Sequence, residues 1–375
     1  MKTYTYLWGL LAFIILGCSK SSPDEQESKK EPNVATSYTV LLDANNSLSA
    51  TLLNADATFI SKSSKESTFN AISTSVIKYD DDKAYSFYKK TSDCDGEIVY
   101  YDFLNEEEQL LTIFPDILDC ELNVLSIINT NSSFFIAYEI TETTSPKKYV
   151  IRKVDRNATE FTFLELELSK KPMNMTFSND RLFVLSLDVG ITNENEVIVV
   201  DNMNFKVINT QGLGYDVKKI FKDSNGDIIF GYDELHTVLN KETLAVSYTR
   251  YGIGTEPKFA DTALHDLDSE DKLYYSMPAE DLATSSIPAV YDLKNNLATL
   301  YIYENFLTPA QLEVEYEIEK TTAVSYDEQN NILLIGYKKS GNQDLGGILR
   351  IKPVPDLEFL DNIDLPGIPY DIIVH

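Results

Sequence analysis

The chain has 375 residues, with 32 basic against 59 acidic side chains and a formal charge of −27. That balance excludes a protein that coats nucleic-acid phosphates with Lys and Arg, and three Cys with three His exclude a zinc ribbon or a Cys-dense scaffold. At 43% hydrophobic residues, with 23 Tyr and 18 Phe, a sizeable core is within reach.

Residues 1–17 read as a segment lost in processing. Lys2 supplies a basic start, and Leu7 to Leu16 form an apolar run of ten, about half of what a membrane-spanning helix needs. The run ends in Ile15-Leu16-Gly17-Cys18, which resembles a bacterial lipobox. That resemblance implies a diacylglycerol on the Cys18 thiol, cleavage on its amino side, and anchorage in the bacterial outer membrane, facing either the periplasm or the surface. Lipoboxes usually have a small residue where Leu16 stands. Residues 18–36 are polar and charged, with almost no large apolar groups, and are expected to be a disordered tether. The only Trp is Trp8, inside the leader, so the mature chain has no Trp platform for sugars.

Residues 37–375 repeat. Polar turns at Asp80–Lys83, Thr130–Ser133, Ser178–Asp180, Asp223–Gly226, Asp268–Asp271 and Asp327–Asn330 start 45 to 59 residues apart. An aromatic or β-branched strand follows each one, and the turns carry Asx and Gly hairpin chemistry. A second hairpin type interleaves, at Thr39–Leu53, Ile98–Phe114, Tyr149–Leu164, Val197–Asn209, His236–Ser247, Ala289–Tyr301 and Gly347–Leu360. The chain closes on Ile368–His375, which reads as the opening strand of one more hairpin of the first type.

Four strands in each unit of roughly 48 residues, repeated about seven times, predict an all-β fold. The expected architecture is a β-propeller of seven four-stranded blades, whose ring is closed by strands from the two chain ends. Closure would remove exposed sheet edges. This pattern resembles the seven-bladed β-propeller lipoproteins of the bacterial envelope, in the broad YVTN and WD40-like class. The resemblance rests on periodicity and the lipobox. It implies fold and location, and carries over no catalytic residue.

With the strands of a blade lettered A to D from the channel outward, A–B and C–D turns share one face. The B–C and D–A connections share the other. The expected B–C loops at 89–97, 141–148, 188–196, 277–288 and 338–346, and the D–A connection at 304–320, are the long ones. Long loops in compact domains usually carry function, so their face is the expected binding surface. A short helix is expected within Thr308–Lys320, although Glu313, Glu315, Glu317 and Glu319 alternate like one face of a strand.

Cys94 falls in a B–C loop and Cys120 in the next D–A connection, on one face of one blade. In the oxidising compartment that a lipobox implies, the two are expected to bridge, contributing about 3 kcal/mol.

No catalytic residue, metal ligand or cofactor emerges. Asp223-Ser224-Asn225-Gly226-Asp227, with Glu234 further on, imitates part of a calcium loop, but reads better as a hairpin turn because Ile228 stands where an EF-hand needs Gly. The same holds for Asp80–Asp82. His236, His265 and His375 fall on separate units with no ligand spacing between them. No Gly-x-Ser-x-Gly elbow appears, and Gly252-Ile253-Gly254 is too short for a dinucleotide fingerprint.

The expected function is therefore a lipid-anchored binding or scaffold protein of the envelope. Its long-loop face would hold a protein or a small ligand, in the neighbourhood of an outer-membrane transporter, with no nucleic-acid partner. The alternative is a propeller enzyme, a metal-assisted hydrolase or lyase acting on an extracellular or periplasmic substrate.

Overall fold

A computed structural model describes residues 34–73, 77–81, 83–117, 120–142, 147–158, 161–263, 265–280, 282–341 and 344–375. Residues 1–33, which include the expected leader, Cys18 and most of the expected tether, lie outside them. The fold is a seven-bladed β-propeller, as the repeat predicts.

Blade 1 is made from both chain ends. Ile368–Val374 is its innermost strand, followed outward by Thr36–Ala44, Ser47–Ala55 and Ile60–Lys62, with Ile72–Ser73 on the other half of the third strand. Blade 2 runs Ile77–Asp81, Ala84–Lys90, Gly96–Asp102 and Glu107–Thr112. Blade 3 runs Cys120–Asn129, Ser133–Glu142, Lys148–Asp155 and Phe163–Leu168. Blade 4 runs Lys171–Ser178, Arg181–Leu187, Asn195–Asp201 and Lys206–Gly214. Blade 5 is shorter, with Lys219–Lys222, Ile228–Gly231, Leu235–Leu239 and Val246–Arg250. Blade 6 has Asp266–Leu267, Lys272–Pro278, Ser286–Asp292 and Leu297–Leu300. Blade 7 has Ile318–Asp327, Ile332–Lys339, Gly346–Lys352 and Glu358–Leu365. All pairings are antiparallel.

The middle strands are buried on both faces, because each blade is packed between two others. They therefore read as unbroken apolar runs, such as Phe134–Tyr138, Leu182–Leu185 and Val197–Val200. Outermost strands, such as Lys206–Gly214, have one wet face and are largely exposed. Among the described residues the core is seven apolar clusters, one between each pair of neighbouring blades.

Two expectations change. The hairpin Thr39–Leu53 is not a C–D hairpin like its supposed equivalents. Its strands are the B and C strands of blade 1, lying outward of the C-terminal strand. Asn45 and Asn46, at φ 53° and 58°, make this B–C turn as tight as a C–D turn, which is why length alone misplaces it. The acidic alternation at 313–319 is not a strand. Gln311–Glu315 is helical, and the strand begins only at Ile318. The Gln311 amide donates to the Thr308 hydroxyl (3.3 Å) and the Thr308 amide to the Gln311 side chain (3.0 Å), a capping box around Pro309 that starts a helix.

Candidate functional site

The long-loop face carries a set of apolar side chains in water. Ile191 is 86% exposed, Ile253 fully exposed and Val314 76% exposed. They come from the B–C loop of blade 4 and from the D–A connections leading to blades 6 and 7. Val189, Tyr215 and Leu282, on the same face, are also exposed.

Local bonding holds each tip outward. In the loop with Ile191, the Asp188 amide donates to the Glu194 carbonyl and the Asn193 amide to the Asp188 carbonyl, both at 3.0 Å. Ile253 sits in a turn closed by the Thr255 amide on the Gly252 carbonyl (3.0 Å), with Gly254 at φ +77°. That φ favours glycine, as the third position of a type II turn does. Val314 faces outward because Leu312 and Tyr316, on the other side of the same helical turn, are buried in the cluster between blades 6 and 7. Carboxylates stand beside each tip: Asp188 and Glu194, then Glu256, then Glu313 and Glu315. Fixed apolar groups framed by charge are the surface chemistry of a protein-binding patch.

The opposite mouth of the channel is different. A cavity of about 280 Å³ is lined there by His265, Asp266 and Asp268 of blade 6, Asp327 and Glu328 of blade 7, Asp371 and His375 of blade 1, and Lys83 of blade 2. Asp371 opens onto the channel yet is enclosed by protein, and burial raises its carboxyl pKa against the hydrogen bond that Tyr85 donates to it. Burial, with the positive Lys219 nearby, holds His265 well below the usual imidazole range. Burial likewise lowers His375, whose Nε2 lies 2.7 Å from the Thr39 hydroxyl. Most acids here serve the fold. Asp268 accepts from the Glu270 and Lys272 amides and the Tyr274 hydroxyl, all at 2.9 Å. Asp327 accepts from Tyr38 at 2.7 Å and from Asn330 at 2.9 Å. No group of three or more His, Cys, Asp or Glu placed to hold a metal ion occurs among the described residues.

The sequence-derived candidates fall as follows. Cys18 lies outside the described residues. Cys94 sits in the B–C loop of blade 2, and Cys120 opens the inner strand of blade 3, so the pair belongs to neighbouring blades rather than one. The Leu122 amide donates to the Asp93 carbonyl at 3.1 Å, which brings the two segments together. The Cys120 side chain itself is outside the described residues. Asp223–Asp227 is a hairpin turn: the Asp223 carboxylate accepts from the Asn225 and Asp227 amides, and Gly226 takes φ +84°. Glu234 is at the far end of strand Ile228–Gly231 and cannot join it. His236 is buried beside Tyr251, whose hydroxyl lies 3.2 Å from its Nδ1. His265 and His375, far apart in the chain, meet in the channel cavity. Only ring closure brings them together, and no spacing in the sequence signals it.

No protein-family model and no curated protein matches the sequence. Solved structures do match by shape. A protein assigned as a 6-phosphogluconolactonase from Bacteroides uniformis is 10% identical, with a TM-score of 0.51 over 91% of this chain and 99% of that one. A chain of the mitotic checkpoint complex is 9% identical, with a TM-score of 0.45 over 96% and 89%. A prolyl endopeptidase is 10% identical, with a TM-score of 0.47 over 92% of this chain and 49% of that one. At such identities the likeness is one of fold. No helix among the described residues is long and apolar enough to cross a membrane.

Proposed function

We propose that the chain is a lipid-anchored binding module of the bacterial envelope, held to the outer membrane through Cys18, whose long-loop face docks a protein. The observation that carries this reading is the exposure of Ile191, Ile253 and Val314 on one face, each fixed by its own turn and flanked by carboxylates. Burying an isoleucine or valine contributes roughly 1.5–3 kcal/mol, so three such tips can supply the anchoring energy of an interface. The flanking carboxylates select a partner with basic groups around an apolar centre.

The test is affinity purification from the native source with the wild-type chain and with Ile191→Ser, Ile253→Ser and Val314→Ser combined. The triple variant keeps its thermal midpoint and loses a partner that the wild type retains. A variant with Leu110, Ile208 and Leu297 changed to Ser, on the outer strands, keeps that partner. Equal recovery by all three proteins would remove the long-loop face from the interface.

A further inference from the structure

The chain enters the ring on the face opposite the long loops. The Val34 amide donates to the Asn330 side chain at 3.2 Å, and Asn330 lies in the A–B turn of blade 7, between Ile318–Asp327 and Ile332–Lys339. Residues 18–33 precede Val34, and a flexible coil of that length spans roughly 22 Å on average and about 55 Å drawn out. To turn the long-loop face toward an anchor at Cys18, that coil would have to round the rim and climb a blade. The climb alone is about 23–33 Å for second strands of 7 to 10 residues. The point of entry therefore favours the short-turn face as the one nearer the anchor.

That face carries apolar tips of its own. The C–D turns of five blades each expose one: Val354 in blade 7, Phe59 in blade 1, Leu104 in blade 2, Phe161 in blade 3 and Met203 in blade 4. Met203 is 87% exposed. These blades are consecutive around the ring, and the arc they form includes the point where the chain enters. In blades 5 and 6 the corresponding Leu244 and Leu293 instead pack on the core. The acids of the arc sit at the bases of the turns, engaged by backbone. Asp56 accepts the Thr58 amide at 2.7 Å, Asp102 the Leu104 amide at 2.8 Å and Asp201 the Asn204 amide at 2.7 Å. Each bond fixes its turn and leaves the apolar side chain in water.

We propose that this arc of C–D turns rests on a zwitterionic lipid surface, with the five tips entering the headgroup layer. The inference rests on the anchor at Cys18 in the function proposed above. Apolar and aromatic side chains held in such a layer add to the affinity that a covalent lipid supplies. A chain of formal charge −27 is repelled by anionic headgroups, which selects a surface without net charge. With the short-turn face on the bilayer, Ile191, Ile253 and Val314 point away from it, and their protein partner is met from the aqueous side.

The experiment exploits the lone Trp8, which lies in the expected leader, so that one substitution in the remaining chain makes one optical probe. Residues 18–375 with Cys18→Ser and an amino-terminal hexahistidine tag are held on vesicles of brominated phosphatidylcholine doped with nickel-chelating lipid. The anchor is then supplied whether or not cells lipidate Cys18, which labelled palmitate tests separately. Met203→Trp and Leu104→Trp are quenched roughly twofold relative to unbrominated lipid, and Ile253→Trp is not. Changing Phe59, Phe161 and Val354 together to Ser lowers the quenching of Met203→Trp, whereas a face merely held nearby by its tether would keep it. Anionic phosphatidylglycerol also lowers that quenching, and salt restores it. Equal quenching of Ile253→Trp, none at either short-turn position, indifference to the three serines, or stronger quenching on anionic lipid would overturn the assignment.

Discussion

Arg350 and Asp56 are joined across the seam of the ring, with the guanidinium Nη1 donating to the Asp56 carbonyl at 2.6 Å. Arg350 is fully buried on the third strand of blade 7, and its other nitrogens grip Asp361 on the fourth strand at 2.7 and 2.6 Å. Arg152 repeats the arrangement in blade 3. It pairs with Glu165 on the fourth strand and reaches back to Asp116 and the Ile113 carbonyl (2.8 Å). A buried guanidinium is tolerable only when its donors are matched, so each arginine bolts its blade to a neighbour.

Arg350→Met is therefore expected to lower stability by about 3–5 kcal/mol in urea unfolding, since it leaves Asp361 and a seam carbonyl unpaired. Arg350→Lys does not restore it, because an ammonium cannot reproduce the fork. The exposed Arg250, changed to Ala, costs less than about 0.5 kcal/mol.

Lys219 gives a pH dependence of definite sign. It is 7% exposed, and its Nζ donates to the Thr262 carbonyl at 2.8 Å and hydroxyl at 3.3 Å. Burial pushes its ammonium down to about 7, against about 10.4 in an unfolded chain. Between those values the unfolded chain binds more protons, so this group makes stability rise with pH. Buried tyrosines such as Tyr88, raised to about 12 by burial, oppose the trend only above about pH 10. The urea midpoint is expected to rise from pH 7 to 9.5. Lys219→Met raises it at pH 7 and flattens the slope, and an unchanged slope in that variant would contradict the assignment.

Cys94 and Cys120 are expected to be one disulfide in protein made in an oxidising compartment. Non-reducing peptide mass spectrometry should recover the two cysteines in one linked species. Cys94→Ser should cost about 3 kcal/mol or somewhat less, and recovery of both residues as free thiols would exclude the bridge.

Lipidation is tested directly by growth with labelled palmitate. The wild type is expected to take up label and fractionate with outer membranes, while Cys18→Ser does neither.

Much of the ring was legible because its middle strands are buried on both faces and its turns are built from Asp, Asn and Gly. The closing strand could be read from Ile368–His375, which had no hairpin partner in sequence. Tight turns were less informative. Asn45-Asn46 shortens a B–C connection to the length of a C–D turn and disguises which strands of its blade it joins. At Thr308–Gln311 the capping signal was present, but the alternating glutamates that follow imitate a strand period. The long-loop face was found by length, whereas the exposure of Ile191, Ile253 and Val314 was not, since an apolar residue in a loop can equally turn inward. The pairing of His265 with His375 in one cavity depends on which strand ends line the channel, a three-dimensional relation that no local pattern carries.

The docking claim is tested most directly by lysine-directed cross-linking on intact cells of the native source, with the linked positions mapped by mass spectrometry. A single dominant partner joined through Lys258 and other lysines of the long-loop face is the expected result, with Lys241 and Lys294 on the opposite face unlinked. A partner held through Lys241 and Lys294, or links spread evenly over both faces, would contradict it.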